Sequence, residues 1–180
     1  DPVSGETLWR TPVGRGGIQG GVHFGIAAES DNLYIPINDL NFFNDEQRYK
    51  WESPAKPGVY SVNAGTGKII WSAPAPIDVC NGMPFCTPGI SQAITAIPGA
   101  VIAGHLDGRI RIYSREDGTV LWEKNLLGKY QTVSGEEATG GSFSGGGVLI
   151  AHGLMYVNAG YGYNLHSPGN ALIVLGLADE

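Results

Sequence analysis

The chain has 180 residues, of which 42% are apolar and 16% charged, a balance that fits one folded domain and excludes a disordered segment. Its formal net charge of −6, with no basic run, argues against nucleic acid or an anionic membrane as partner. No stretch reaches the roughly 18 apolar residues of a bilayer-spanning helix, so no membrane span is expected.

The first element is a phrase that returns twice. At 1–9, 63–71 and 114–122, Ser, Thr or Asp precedes a glycine (Gly5, Gly67, Gly118), and Trp follows four positions later (Trp9, Trp71, Trp122). A fixed phrase at long spacing marks a repeat architecture. Its physical content is a tight turn needing positive φ, then a strand whose Trp staples one sheet to the next. That is the logic of a β-propeller.

Residues 1–13 are read as the outer strand of a blade with no other strands of its own. The first full blade is expected over 20–77, with strands at 22–28, 33–37, 58–62 and 68–73. It carries an insertion at 40–57, which explains why 62 residues separate Trp9 from Trp71 but only 51 separate Trp71 from Trp122. Phe42, Phe43, Tyr49 and Trp51 make that insertion either a solvated loop or a contact loop. The second blade covers 87–126, with strands at 92–97, 100–104, 109–114 and 119–124. Alternation from Arg109 to Tyr113 predicts one wet face carrying Arg109 and Arg111. The third covers 139–177, with strands at 142–150, 154–158 and 171–177, and lacks its outer strand. No segment sustains a helical apolar period, so the fold is expected to be all-β. About three four-stranded antiparallel blades are too few to close a ring, so the chain is part of a larger or multi-chain propeller.

Cys80 and Cys86 are too few for a metal cage and too far apart for a C-x-x-C redox pair. They are read as a disulfide stiffening a Gly/Pro-rich loop, which would place the protein in the periplasm or outside the cell; a pair of reduced buried thiols is the other reading.

The phrase at 63–71 resembles the repeat of propellers that use pyrroloquinoline quinone (PQQ). Residues 20–25, 95–101 with 107–113, and 158–161 followed by 168–170 are similar to polyvinyl alcohol dehydrogenase-like quinoproteins, in order and spacing, over nearly the whole chain. The resemblance implies a C-terminal segment of an eight-bladed or similar propeller that oxidises secondary alcohols. It further implies PQQ bound with Ca²⁺ over the central channel and electrons passed to a cytochrome c. Phe24 stands where that family commonly has Trp, and neither an adjacent-cysteine pair nor a C-x-x-C-H haem motif is present.

On this resemblance Asp39 is the candidate base, and Asn38 and Asp39 are candidate Ca²⁺ contacts, since oxygen donors suit that ion. The same pair is also a plain turn starter. His23, Phe24, Asn38, Gln92 and Arg109 are candidate cofactor contacts, and each has a structural reading beside it: a satisfied histidine, a packing aromatic, an inter-blade amide, a solvated arginine. Tyr161, Tyr163 and His166 lie in a Gly-rich loop that would roof the channel. Two other classes stay open: a noncatalytic interaction scaffold, and a polymer- or saccharide-binding module using the aromatics of 40–57.

Overall fold

A computed structural model describes residues 1–16, 21–39, 55–76, 78–160 and 166–177. Among these residues the fold is all-β. The first sheet is β1 (Ala27–Glu29), β2 (Asn32–Ile37), β3 (Gly58–Asn63) and β4 (Ile69–Pro74). The second is β5 (Thr95–Ile97), β6 (Ala100–Gly104), β7 (Arg109–Ser114) and β8 (Val120–Asn125). A two-stranded ribbon, β9 (Gly128–Gln131) and β10 (Glu137–Gly140), precedes a three-stranded sheet of β11 (Leu149–Ala151), β12 (Leu154–Ala159) and β13 (Ala171–Leu175). Every pairing is antiparallel, and the strands of each sheet lie in chain order. Each sheet is therefore a meander, the form of a propeller blade.

The recurring phrase performs the stapling its residues predict. Gly67 and Gly118 both adopt positive φ, at 70° and 76°, where a side chain would be strained. They are also the floor on which a Trp lies: a Cβ at Gly67 would sit 2.6 Å from Trp9 Cδ2, and one at Gly118 would sit 2.6 Å from Trp71 Cε3. The Trp9 indole N–H donates to the Ala64 carbonyl at 2.8 Å, and that of Trp71 donates to Arg115 at 2.9 Å. Each Trp thus reads the turn of the following blade. Trp122 has no such receiver among the described residues and is 38% exposed.

The core lies between blades. Tyr34, Val59 and Trp71 from the first pack on Ile90, Ile94, Val101 and Tyr113 of the second. Ile102, Ile110 and Leu126 of the second meet Phe143, Val148 and Val157 of the third. Outward of the third blade, Leu149, Leu172 and Val174 are exposed.

Four findings depart from the expectations. The inner strands shrink to three residues each, because the segments before them bond across blades instead: Ile90 N–H donates to Ile37 and Ala93 N–H to Gly145. The ribbon β9–β10 was not foreseen. The expected wet face of β7 is not wet either, since Arg111 is 2% exposed and ion-paired on both sides. Residues 1–13 form no strand among the described residues; Trp9, donating to Ala64 O, and Thr11, whose hydroxyl donates to Gly67 O, tie them to the first blade.

Register makes the blades superimposable by position. Asn32 pairs with Asn63, and Ala100 pairs with Ser114, so Ile37 corresponds to His105, Asn38 to Leu106 and Asp39 to Asp107. The whole 40–57 insertion then stands where the second blade has Gly108 alone. The pairing of β2 with β3, on either side of it, matches that of β6 with β7.

Candidate functional site

Asn38, Asp39, His23 and Gln92 belong to segments at the end of the stack where first strands begin and second strands finish. The same main-chain bond closes that end in each blade: Asn38 N–H to Gly21 O, Leu106 N–H to Gly89 O, and Gly160 N–H to Ser142 O, at 3.2, 2.9 and 3.0 Å. Between blades, Ile90 N–H donates to Ile37 and Phe143 N–H to His105, both at 3.3 Å. These bonds hold the inner segments of three blades in one rigid arc.

Two primary amides lie in that arc. Asn38 and Gln92 are each 1% exposed, and neither the oxygen nor the nitrogen of either amide has a hydrogen-bond partner. Asn38 covers Gly89, where a Cβ would overlap it, and Gln92 lies over Gly104 beside Phe143. An unmade hydrogen bond on a buried polar group costs about 1–3 kcal/mol, so four orphan atoms in two neighbouring blades point to a polar ligand.

Asp39 is placed differently. It has a positive φ of 48° and is buried, and its carboxylate accepts backbone N–H groups from Arg15, Gly16 and Lys56 at 3.0–3.3 Å. It pins both the entry segment and the return of the insertion to the end of β2. Tyr60 closes the same corner, its hydroxyl donating to Lys56 O at 2.7 Å; burial, then Asp39, pushes that phenol upward.

His23 and Phe24 are both exposed, with their ring centroids 4.4 Å apart. His23 Nδ1 lies 2.7 Å from Ser91 Oγ, which is fully buried. His166 comes into the same corner. Burial and the proximity of His23 lower its pKa to about 4. Ser91 escaped the sequence reading, although Gly89 and Ser91 repeat the spacing of Gly21 and His23. Tyr161, Tyr163, Phe42, Phe43, Tyr49 and Trp51 lie outside the described residues.

Arg109 does not reach the arc's amides by any described contact. It pairs with Glu123 at 3.1 Å, while Arg111 binds Asp107 at 2.8 Å and Glu123 at 2.6 Å. Burial works against the Arg111 charge, but Asp107 outweighs it and holds the guanidinium above its ordinary value. Beside this cluster, His105 Nε2 meets the Tyr113 hydroxyl at 2.9 Å and Nδ1 meets Pro88 O at 2.9 Å. No three His, Cys, Asp or Glu side chains among the described residues form a cation cage.

Cys80 and Cys86 are joined in a disulfide. The loop they close exposes Met83 and Phe85 and is fastened to the His166 segment by Ser167 Oγ donating to Phe85 O at 3.2 Å. Closing so short a loop removes about 2 kcal/mol of unfolded-chain entropy. Reduction with dithiothreitol should lower unfolding stability by that amount, measured by denaturant titration in both redox states.

The family model described as outer membrane protein assembly factor BamB (PQQ_2) matches residues 1–139. Polyvinylalcohol dehydrogenase of Pseudomonas sp is 42% identical over 160 residues, covering 87% of this chain and 24% of that protein. Polyvinylalcohol dehydrogenase of Sphingopyxis sp. (strain 113P3) is 33% identical over 177 residues, covering 96% and 26%. The crystal structure of quinohemoprotein alcohol dehydrogenase from Comamonas testosteroni shares the fold, with a TM-score of 0.52 at 19% identity over 78% of this chain and 17% of that one. The chain spans about a quarter of the length of the curated relatives it matches. With residues 1–139 of its 180 matched and the blade topology in place, the chain belongs to the PQQ_2 propeller family and is homologous to the polyvinylalcohol dehydrogenases.

Proposed function

We propose that the chain is a segment of a PQQ-dependent dehydrogenase that oxidises secondary alcohols, of polyvinyl alcohol type, and passes the electrons to a cytochrome c. The observation that carries this reading is the pair of buried, unpartnered amides of Asn38 and Gln92 at one end of adjoining blades. They fit a group rich in carbonyl and carboxylate oxygens: the amide nitrogens donate to it, and Asn38 Oδ1 suits a hard cation such as Ca²⁺. Asn38 and Gln92 would hold the cofactor, with Phe24 offering an exposed ring face. When bound, PQQ supplies a two-electron oxidant for the alcohol. For Asp39 to act as base or cation contact, its oxygens would have to release the amides of Arg15, Gly16 and Lys56.

The exposed apolar residues of β13 and the unreceived Trp122 suit further blades, from the same or other chains, as the chain's structural partners. By the stapling pattern, Trp9 takes the outer-strand place of a preceding blade. The disulfide suits a periplasmic or extracellular setting. The isolated 180 residues are accordingly expected to be inactive.

The test is reconstitution of the full-length protein with PQQ and Ca²⁺. Retained quinone absorbance and dye reduction with secondary alcohols are expected; absence of both overturns the reading. A noncatalytic scaffold is the second reading, favoured by the closed Asp39 carboxylate, and it expects no quinone binding at all.

A further inference from the structure

We propose that Met83 and Phe85, carried on the loop closed by Cys80 and Cys86, form the contact that selects a polymeric secondary alcohol over a short one. The proposal rests on the alcohol-oxidising reading above and adds where the substrate lies beyond its reacting carbon.

The loop is tied to the surroundings of both buried amides. Gly89, which Asn38 covers, follows Cys86 by three residues, a span of at most about 11 Å. On the other side, Ser167 Oγ donates to Phe85 O at 3.2 Å. Ser167 is itself locked to Ser142: Ser142 N–H donates to Ser167 O and Ser167 N–H donates to Ser142 Oγ, both at 2.9 Å. Phe143, next in the chain, then meets Gln92, since both lie within 2.6 Å of the point that a Cβ on Gly104 would occupy.

The surface the loop presents is apolar and uncharged. Asn81 to Phe85 are all exposed, and Gly82-Met83-Pro84-Phe85 is a continuous apolar run. Such a run on a surface is an error of folding unless it serves a function. No Asp, Glu, Lys or Arg occurs from Val79 to Leu106. A charged ligand or a charged protein partner finds no complement on this loop. A neutral chain of methylene and hydroxyl-bearing carbons buries its methylenes there and keeps its hydroxyls in water.

Phe85 is also held in place before any ligand arrives. Its φ is 60°, a left-handed conformation that a bulky residue adopts only where its surroundings impose it. The disulfide at the next residue and the Ser167 bond to its own carbonyl do so. A backbone fixed in this way loses little further freedom on binding, and the unbranched Met83 adapts to a chain of variable conformation. Size then sets the substrate class. A short alcohol with its reacting carbon at the quinone ends before it also covers Met83 and Phe85, whereas a polymer covers them. The contact is remote from the reacting bond, so it acts on KM and leaves kcat alone.

The experiment uses the full-length protein reconstituted with PQQ and Ca²⁺, as wild type, as the double variant Met83→Ser with Phe85→Ser, and as the apolar control Met83→Leu with Phe85→Tyr. Quinone affinity is measured by absorbance titration, and kcat and KM are measured with polyvinyl alcohol and with isopropanol. The serine variant should bind quinone as the wild type does, keep both kcat values and the isopropanol KM, and raise the polymer KM at least about tenfold. The apolar control should keep the wild-type polymer KM. An unchanged polymer KM in the serine variant overturns the proposal and leaves the quinoprotein reading standing. An equal rise for isopropanol, a fall in quinone affinity, or a polymer KM raised as far in the apolar control overturns it too, since the loop would then be shaping the site as a whole. A wild-type protein that binds no quinone and oxidises neither alcohol overturns the quinoprotein reading and takes this proposal with it.

Discussion

Replacing Trp71 with alanine is expected to remove about 4 kcal/mol of stability, while the same change at Trp122 removes less than about 1 kcal/mol. The two residues occupy one position of the repeat, so composition and propensity are matched. What differs is the receiver. Trp71 is buried to within 8% exposure, stacks over Gly118 and donates to the Arg115 carbonyl, so its loss opens a cavity between two blades and orphans an acceptor. Trp122 is partly exposed and has no receiver among the described residues. Denaturant unfolding of both variants measures the contrast; equal losses would show that stapling between blades is not what Trp71 contributes.

Stability should also fall steeply once the pH drops below about 6.5. His105 is wholly buried, its Nδ1–H given to Pro88 O and its Nε2 accepting from Tyr113, and its pKa is lowered to about 3 by burial first and by the Arg111 charge second. An unfolded chain takes up a proton on this residue near 6.5, whereas the folded one resists it until about 3. Folding is therefore unaffected by this group above 6.5 and loses up to about 1.4 kcal/mol per pH unit through the window below it. His166, with its pKa near 4, adds to the slope in the upper part of that window. Urea midpoints between pH 7.5 and 4 should show the slope in wild type and a shallower one in His105→Gln. Identical slopes would exclude His105 as its source.

The blades were legible because their signals are local. A glycine forced to positive φ followed four residues later by Trp announces a turn and a strand wherever it occurs, and the strands from β2 to β4 and from β6 to β8 follow from it. The inner strands were read too long, since what decides them is a bond to the neighbouring blade, as from Ile90 to Ile37. The alternation of Arg109 to Tyr113 correctly marked a strand but misjudged its surroundings. Period alone cannot say that Asp107 and Glu123 wait on either side of Arg111. In the candidate site, Asn38, Asp39, His23 and Gln92 were visible as residue types, and the resemblance drew attention to them. That Asp39 is spent on backbone amides, while Asn38 and Gln92 are not spent at all, depends on partners from 23 residues upstream to another blade, and no spacing encodes it.

The stapling also imposes an order in time. Trp71 donates to a carbonyl 44 residues further along, and Trp9 to one 55 residues further along. On a ribosome moving at about 5–20 residues per second, each blade emerges with its indole bare for roughly 2–10 seconds before the next turn appears to receive it. During synthesis the growing chain therefore always carries one unsheltered Trp at its newest complete sheet, a moving sticky point where a holding chaperone has something to grip.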